Sequence, residues 1–287
     1  MNAFSWTIFF ILFVAGLIGT AAVYPYALSI NPKALEKMKE NISPAGGPDR
    51  GEKRRLSLPV LVLISILQSI ALVGLATFLG LLAGNQVGLG APILQTALDG
   101  GPVMEKILAM APVTILLGLA SGIILLTLEW KYFLPRIPRS LASMDGRTAF
   151  WKRVLACFYG GIVEEILMRL FLMGSLVWLL GLLWKTPAGL PAAGAFWVAN
   201  ILAALIFGAG HLPATAMTVK LTRTVVARAL LLNGIPGVAC GYLFMQYGIE
   251  SAMLAHFSLD ILIHLIAAPY LARLANSLPP DPSIQPV

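Results

Sequence analysis

The chain has 287 residues, of which 58% are hydrophobic and only 11% are charged, and its mean hydropathy is +0.85. Soluble domains carry about 25% charged residues, so this composition excludes a water-soluble monomer. It also excludes a disordered chain, because disorder requires low hydrophobicity and high net charge. The formal charge of +7 would prompt a search for nucleic-acid binding in a soluble protein. Here the positions of the basic residues give a different explanation, and no nucleic-acid partner is expected.

Seven apolar stretches are long enough to cross a bilayer as helices, since about 20 residues span the hydrocarbon core. The first lacks a basic flank and is too long for the apolar core of a signal peptide, so we expect an uncleaved anchor. The predicted fold is an all-α, polytopic membrane helix bundle. Its spans are predicted at residues 4–30, 56–84, 108–128, 154–184, 195–219, 229–247 and 252–272.

The basic residues predict the orientation of these spans, because Lys and Arg collect in short cytoplasmic loops. Of the 20 Lys and Arg, 17 fall in three loops, 31–55, 129–153 and 220–228, or follow the last span at Arg273. The opposite loops carry only Lys106 and Lys185. This pattern places the N-terminus outside and the C-terminus in the cytoplasm. We expect an integral, multi-pass protein of the cell membrane, with the lipid bilayer as a partner.

The chain divides into three predicted parts. Residues 1–130 form N-terminal membrane helices with the cytoplasmic loop 31–55, residues 150–272 form a second bundle, and residues 273–287 form a Pro-rich tail. Within the loop, the pattern favours a short amphipathic helix at 33–41 and a Pro/Gly turn at 44–48. Gly237 and Gly241 form a GxxxG pattern, which predicts close helix packing. Cys157 and Cys240 lie in apolar runs and are expected to be buried thiols without a disulfide.

Few ionisable residues remain inside the predicted spans, and they include every histidine of the chain. Each charged group near the centre of a bilayer costs about 2.5–3.5 kcal/mol on insertion scales, so four of them amount to roughly 10–14 kcal/mol before pairing. Such a cost points to function. The residues are Glu164, Glu165, Arg169, His211, His256, Asp260 and His264.

Helical spacing predicts how these groups face one another, because residues i and i+4 share a face. Glu165 and Arg169 are spaced for an ion pair, and Glu164 then points about 100° away as the unpaired carboxylate. His256, Asp260 and His264 line one stripe of the last span. His211 follows glycines that permit close helix approach, and Pro213 breaks the helix just beyond it.

This set of groups suits hydrolysis, which needs a carboxylate or imidazole base to activate water and donors to stabilise the oxyanion. The sequence has no HExxH motif, no GxSxG motif and no second intramembrane Asp to pair with Asp260. Two alternatives stay open. An ion- or proton-coupled transporter also uses intramembrane Glu, His and Asp, although no repeated halves are evident. A catalytically silent immunity or assembly protein could use the same scaffold.

Three motifs in order carry a resemblance to a known family: Glu164-Glu165-x-x-x-Arg169, Phe207-x-x-x-His211 and His256-x-x-x-Asp260. With these motifs the chain resembles the CAAX protease and bacteriocin-processing family of intramembrane endopeptidases, which includes the type II CAAX prenyl endopeptidases. The resemblance covers about residues 150–270.

The resemblance implies a role for each matching residue. Glu164 and His211 would activate the attacking water, His256 and the residue at 260 would help to hold the oxyanion, and Glu165 and Arg169 would orient the site. The substrate would be a membrane-associated protein or peptide, prenylated or not. Similar eukaryotic prenyl proteases have Asn where this chain has Asp260. An ionised Asp cannot donate a hydrogen bond, so Asp260 is expected to be protonated, to orient His256 or to bind a metal.

Metal use stays open at this point. His211, His256 and a carboxylate are a plausible zinc triad, and members of the family have been described both as metalloproteases and as metal-independent glutamate proteases. We expect metal-free activation of water. The predicted depths conflict, since His256 would lie about 25 Å from Arg273 along a straight helix, roughly 10 Å more than Glu164 and His211 lie from their own loops. Convergence therefore requires a tilt, a sunken turn at 246–248 or different boundaries.

Overall fold

A computed structural model describes residues 4–30, 58–143 and 145–277, and these residues form helices and connecting turns without a β-strand. Seven helices are long and apolar enough to cross a membrane, which confirms the predicted fold class and number. The orientation of the termini and the division into parts stay predictions. The helices are α1 (Trp6–Ile30), α2 (Leu58–Val87), α3 (Val103–Arg136), α4 (Phe150–Leu183), α5 (Ala193–Gly210), α6 (Arg223–Tyr247) and α7 (Ile249–Ser277).

Helix α4 lies at the centre of the bundle and packs against α1, α2, α5 and α7. Its inner face presents Ile166, Leu170, Met173 and Val177, none of which has any exposed surface. The outer surfaces of the bundle carry many exposed large apolar side chains, as expected where lipid replaces water as the solvent. A central helix whose inward face is fully buried gives a rigid base for any polar group that it carries.

Helix α1 packs tightly on the half of α4 that carries the glutamates. A Cβ atom at Gly19 would lie only 2.8 Å from Cγ2 of Val163, so a glycine is needed where the two helices cross. The predicted amphipathic helix at 33–41, the turn at 44–48 and the Pro-rich tail, apart from residues 273–277 at the end of α7, lie outside the described residues. Helix α1 therefore covers one side of α4.

The GxxxG pattern of α6 packs against α5, as the sequence predicted. A Cβ atom at Gly237 would lie 2.9 Å from Cβ of Ala204, and one at Gly241 would meet the side chain of Asn200. Asn200 donates to the carbonyl of Val238 at 3.0 Å, which adds a polar contact to the same interface. Cys157 and Cys240 are free and buried, as expected.

Several helix boundaries differ from the predicted ones. Helix α3 does not end at Glu129 but continues to Arg136, α6 begins six residues early at Arg223, α7 continues to Ser277, and α5 ends at Gly210 instead of 219. A wide π-helical turn begins the extension of α3, at Glu129–Phe133, and another precedes that of α7, at Ile261–Ala267. Helix α4 contains two more such turns, Tyr159–Glu164 and Ile166–Met173. Wide turns of this kind are frequent at functional sites.

The extension of α7 removes the predicted conflict in depth. Nη1 of Arg153 donates to the carbonyl of His264 at 2.6 Å, so His264 lies level with Arg153. From these two residues, Glu164 is about 16 Å along α4 and His256 is about 12 Å along α7. Arg273 was the wrong reference point, because it lies on the extension that packs beyond this level against residues 139–147.

Candidate active site

Glu164 lies between two imidazole rings that come from two other helices. Its Oε1 is 3.9 Å from Nε2 of His211, and its Oε2 is 3.7 Å from Nε2 of His256. The Glu164 side chain is 19% exposed, so it faces a cavity rather than the packed interior. These separations exceed a direct hydrogen bond, and a water molecule to the side of either pair can contact both the carboxylate oxygen and the ring nitrogen.

His211 is held at the end of α5 with a defined orientation. Its Nδ1 lies 2.8 Å from the carbonyl of Phe207. Since a carbonyl only accepts, Nδ1 carries the hydrogen, and in the neutral ring Nε2 presents a lone pair toward Glu164. Helix α5 ends at Gly210, and a short helix, Leu212–Ala216, follows with Pro213 in its first turn, so the break lies at His211 and not, as predicted, beyond it at Pro213. Gly208 meets α6 closely, whereas Gly210 faces open space and is not needed for helix approach.

Glu165 is fully buried and joins two other predicted site residues. Its Oε1 lies 3.0 Å from Nη1 of Arg169 and 2.6 Å from Nδ1 of His256. Nη2 of Arg169 donates to the carbonyl of Gly237 at 3.0 Å, which connects α4 to α6. The predicted Glu165–Arg169 pair is therefore formed, and it also holds the imidazole of His256 with Nε2 turned toward Glu164.

Asp260 faces two imidazole rings through one oxygen. Its Oδ1 lies 3.6 Å from Nε2 of His256 and 3.8 Å from Nε2 of His264. The space for this carboxylate depends on Gly160, because a Cβ atom there would collide with Oδ2 of Asp260 and approach Nε2 of His256 to 3.1 Å. The sequence did not single out Gly160, since its role is visible only once α4 and α7 are packed together.

A cavity of about 540 Å³ is lined by the polar side chains of Glu164, His211, His256, Asp260 and His264, and α1, α3 and α6 form its apolar wall. Tyr26, Asp145 and Tyr159 line it as well, and none was selected from the sequence. Glu129 and Arg228 meet in a bidentate ion pair of 2.8 and 3.0 Å along the same cavity. In the sequence, Glu129 could be noticed only as a single acidic residue that follows an apolar stretch. The apolar wall is formed in part by Val23, Ala27, Leu125, Leu126 and Leu232.

Two sets of donor atoms bear on metal binding. Glu165, Cys240 and His256 offer ligand atoms within 4.8 Å of one another. However, the same Glu165 oxygen already pairs with the guanidinium of Arg169, whose charge opposes a cation at this point. The second set is Glu164, His211 and His256, where both Nε2 atoms face one carboxylate and both Nδ1 atoms have an acceptor. These residue types can bind zinc, but among the described residues only the first set has its donor atoms all within 4.8 Å of one another.

The comparison with known families agrees with this geometry. Residues 146–262 match the Rce1-like family of type II CAAX prenyl endopeptidases. The match contains all six residues predicted for the site and confirms the resemblance seen in the sequence. It indicates a membrane enzyme of the CAAX protease type. Neither the curated proteins nor the solved structures gave a match. Tyr26, Asp145 and His264 lie outside the matched segment.

Proposed function

We propose that the protein is an intramembrane endopeptidase that cleaves a peptide bond of a membrane-associated protein or peptide, with water activated by Glu164 and His211. The observation that carries this proposal is the position of Glu164 between two imidazole rings in a cavity formed by membrane helices. The match to the Rce1-like family supports the same reaction class. The apolar wall of the cavity suits a substrate that arrives from the lipid phase.

In the proposed reaction, a water molecule sits between Glu164 and Nε2 of His211. Glu164 takes a proton from this water as its oxygen bonds to the scissile carbonyl carbon. The carbonyl oxygen becomes an oxyanion. When the C–N bond breaks, Glu164 returns the proton to the leaving nitrogen and is ionised again. The products are a carboxylic acid and an amine, which become a carboxylate and an ammonium by proton exchange, so no further reactant is required.

His256 is proposed to stabilise the oxyanion. When both of its nitrogens carry a proton, Nδ1–H donates to Glu165 and Nε2–H is free to donate to the oxyanion. Asp260 has its Oδ1 toward this same Nε2. Among the three roles open for Asp260, the geometry therefore supports orientation of His256. Glu165 and Arg169 do not line the cavity, and they are proposed to act indirectly, by orienting the imidazole of His256.

Zinc, if used, would be held by Glu164, His211 and His256, and it would supply Lewis-acid polarisation of the scissile carbonyl and of water. The proposal does not require it. With or without zinc, the side chains proposed to contact the reacting atoms are those of Glu164, His211 and His256, and the buried Glu165–Arg169 pair supports them.

The test is hydrolysis of a panel of lipidated and unlipidated peptides by the full chain in lipid vesicles. We expect cleavage by the wild type and a loss of at least about 100-fold in Glu164→Gln and His211→Ala, the size expected for a general base. The matched control is Glu250→Gln, since Oε1 of Glu250 only accepts from the backbone of Ile93 and Leu94, which an amide oxygen can also do. Full activity in both site variants would contradict the proposal.

A further inference from the structure

A chain of polar side chains runs from His256 to the edge of the cavity and extends beyond the family match. It continues from Asp260 to Nε2 of His264 at 3.8 Å, and from Nδ1 of His264 to Oδ2 of Asp145 at 2.7 Å. It ends where the hydroxyl of Tyr26 donates to Oδ1 of Asp145 at 3.0 Å. Tyr26, Asp145 and His264 thus connect α1, the loop before α4, and α7.

His264 is held at two points, so its ring has little freedom. Its carbonyl accepts from Arg153 at 2.6 Å within the wide turn of α7. Its Nδ1–H donates to Oδ2 of Asp145, because an ionised carboxylate only accepts, and the other oxygen of that carboxylate accepts from Tyr26. Nε2 of His264 is therefore fixed in the direction of Asp260.

The position of Asp145 is itself fixed by tight packing. A Cβ atom at the next residue, Gly146, would collide with the carbonyl of Ala268 and the Cβ atom of Ala272 on α7. This close approach presses the turn that carries Asp145 against the extension of α7. Both carboxylate oxygens of Asp145 then have a donor, one from α1 and one from α7.

We propose that Tyr26, Asp145 and His264 are positioning residues that hold Asp260 beside His256. The inference rests on the proposed function and deepens it. Oδ1 of Asp260 lies at ion-pair distance from two rings, 3.8 Å from Nε2 of His264 and 3.6 Å from Nε2 of His256. Because the His264 ring is held by Asp145, it restricts where this carboxylate oxygen can lie beside His256.

The first experiment does not depend on catalysis. The chain has only three histidines, so nitrogen-15 NMR of histidine-labelled protein in lipid vesicles gives signals that single variants assign. We expect Asp145→Asn and Tyr26→Phe to shift the ring signals of His264, and His264→Phe to shift those of His256. The matched control is Ser29→Ala, which removes a 2.6 Å contact between α1 and Lys152 of α4 that involves no histidine.

The second experiment measures cleavage of a peptide that the wild type hydrolyses. We expect Tyr26→Phe and Asp145→Asn to lower kcat about ten-fold with KM changed less than about two-fold, as loss of an outer partner of a catalytic imidazole does. Ser29→Ala should match the wild type. In a His264→Phe background, Asp145→Asn should cause little further loss, because both act through one ring.

The outcomes separate the two proposals. If Asp145→Asn and Tyr26→Phe leave the ring signals of His264 and His256 in place, the positioning role is wrong. An equal fall in kcat for Ser29→Ala would also overturn it, since the effect would then come from the packing of α1. If the wild type cleaves no peptide, the proposed function fails. The NMR experiment still decides whether the contacts of Tyr26, Asp145 and His264 affect His256. Tyr26→Phe keeps the test decisive if Asp145→Asn does not fold.

Discussion

Nδ1 of His256 lies 2.6 Å from Oε1 of Glu165, and neither side chain is more than 8% exposed. The same oxygen is 3.0 Å from Nη1 of Arg169. A single buried carboxylate therefore neutralises a guanidinium and orients an imidazole. A substitution of Glu165 therefore changes both contacts at once, so stability and activity have to be measured on the same variant.

The buried pair gives a prediction about stability. Glu165→Gln removes the charge that compensates Arg169, which is only 2% exposed. We expect the free energy of unfolding to fall by about 3–5 kcal/mol, the usual cost of leaving one partner of a buried pair without the other. Thermal unfolding in detergent or vesicles measures this change. Glu129→Gln is the control, since Arg228 is 25% exposed and water can solvate it. Similar losses in the two variants would contradict the assignment.

Gly160 gives a prediction about the shape of the site. Gly160→Ala places a methyl group that collides with Oδ2 of Asp260 and lies 3.1 Å from Nε2 of His256. We expect a fall in kcat of about ten-fold or more and only a small change in stability, because the displaced atoms are side-chain ends. Peptide cleavage and thermal unfolding, measured together, test this.

Gly210→Ala is the control for that substitution. It adds the same methyl group one residue before His211, but a Cβ atom at Gly210 meets nothing within 4 Å. We expect it to retain activity and to gain slightly in stability from the higher helix propensity of alanine. Equal loss of activity in the two glycine variants would show that the effect is not due to crowding at Asp260.

Removal of metal gives a further prediction. We expect peptide cleavage to survive treatment with a strong chelator. The three donors that lie within 4.8 Å of one another, among the described residues, include a Glu165 oxygen already paired with Arg169. The Glu164, His211 and His256 set can instead bind water between its side chains. Loss of cleavage with chelator and its recovery with added zinc would assign those three residues as metal ligands.

The sequence predicted the parts of the site that depend on local spacing. Glu165 and Arg169 are four residues apart on one helix, and so are His256 and Asp260, so their pairing follows from helical geometry. The rarity of such groups in apolar spans predicted that α4, α5 and α7 would meet. The number of spans followed from length and hydropathy alone.

The rest of the site depends on contacts that local spacing does not encode. Asp145 and His264 are 119 residues apart, and so are Tyr26 and Asp145. A loop acid among many basic residues and a tyrosine in an apolar helix carry no sign of their partner. The depth of His256 was misjudged because Arg273 lies on an extension of α7 that ends at Ser277, whereas the hydrogen bond from Arg153 marks the level of His264.

The crossing of α1 and α4 at Gly19 has a practical consequence for the design of a shorter chain. Trimming to the matched segment, residues 146–262, would remove α1, which lines one side of the cavity and covers Val163. Such a fragment would keep the six predicted site residues, but α4, which carries Glu164, would lose its contacts with α1. The N-terminal helix should accordingly be retained in any shortened version.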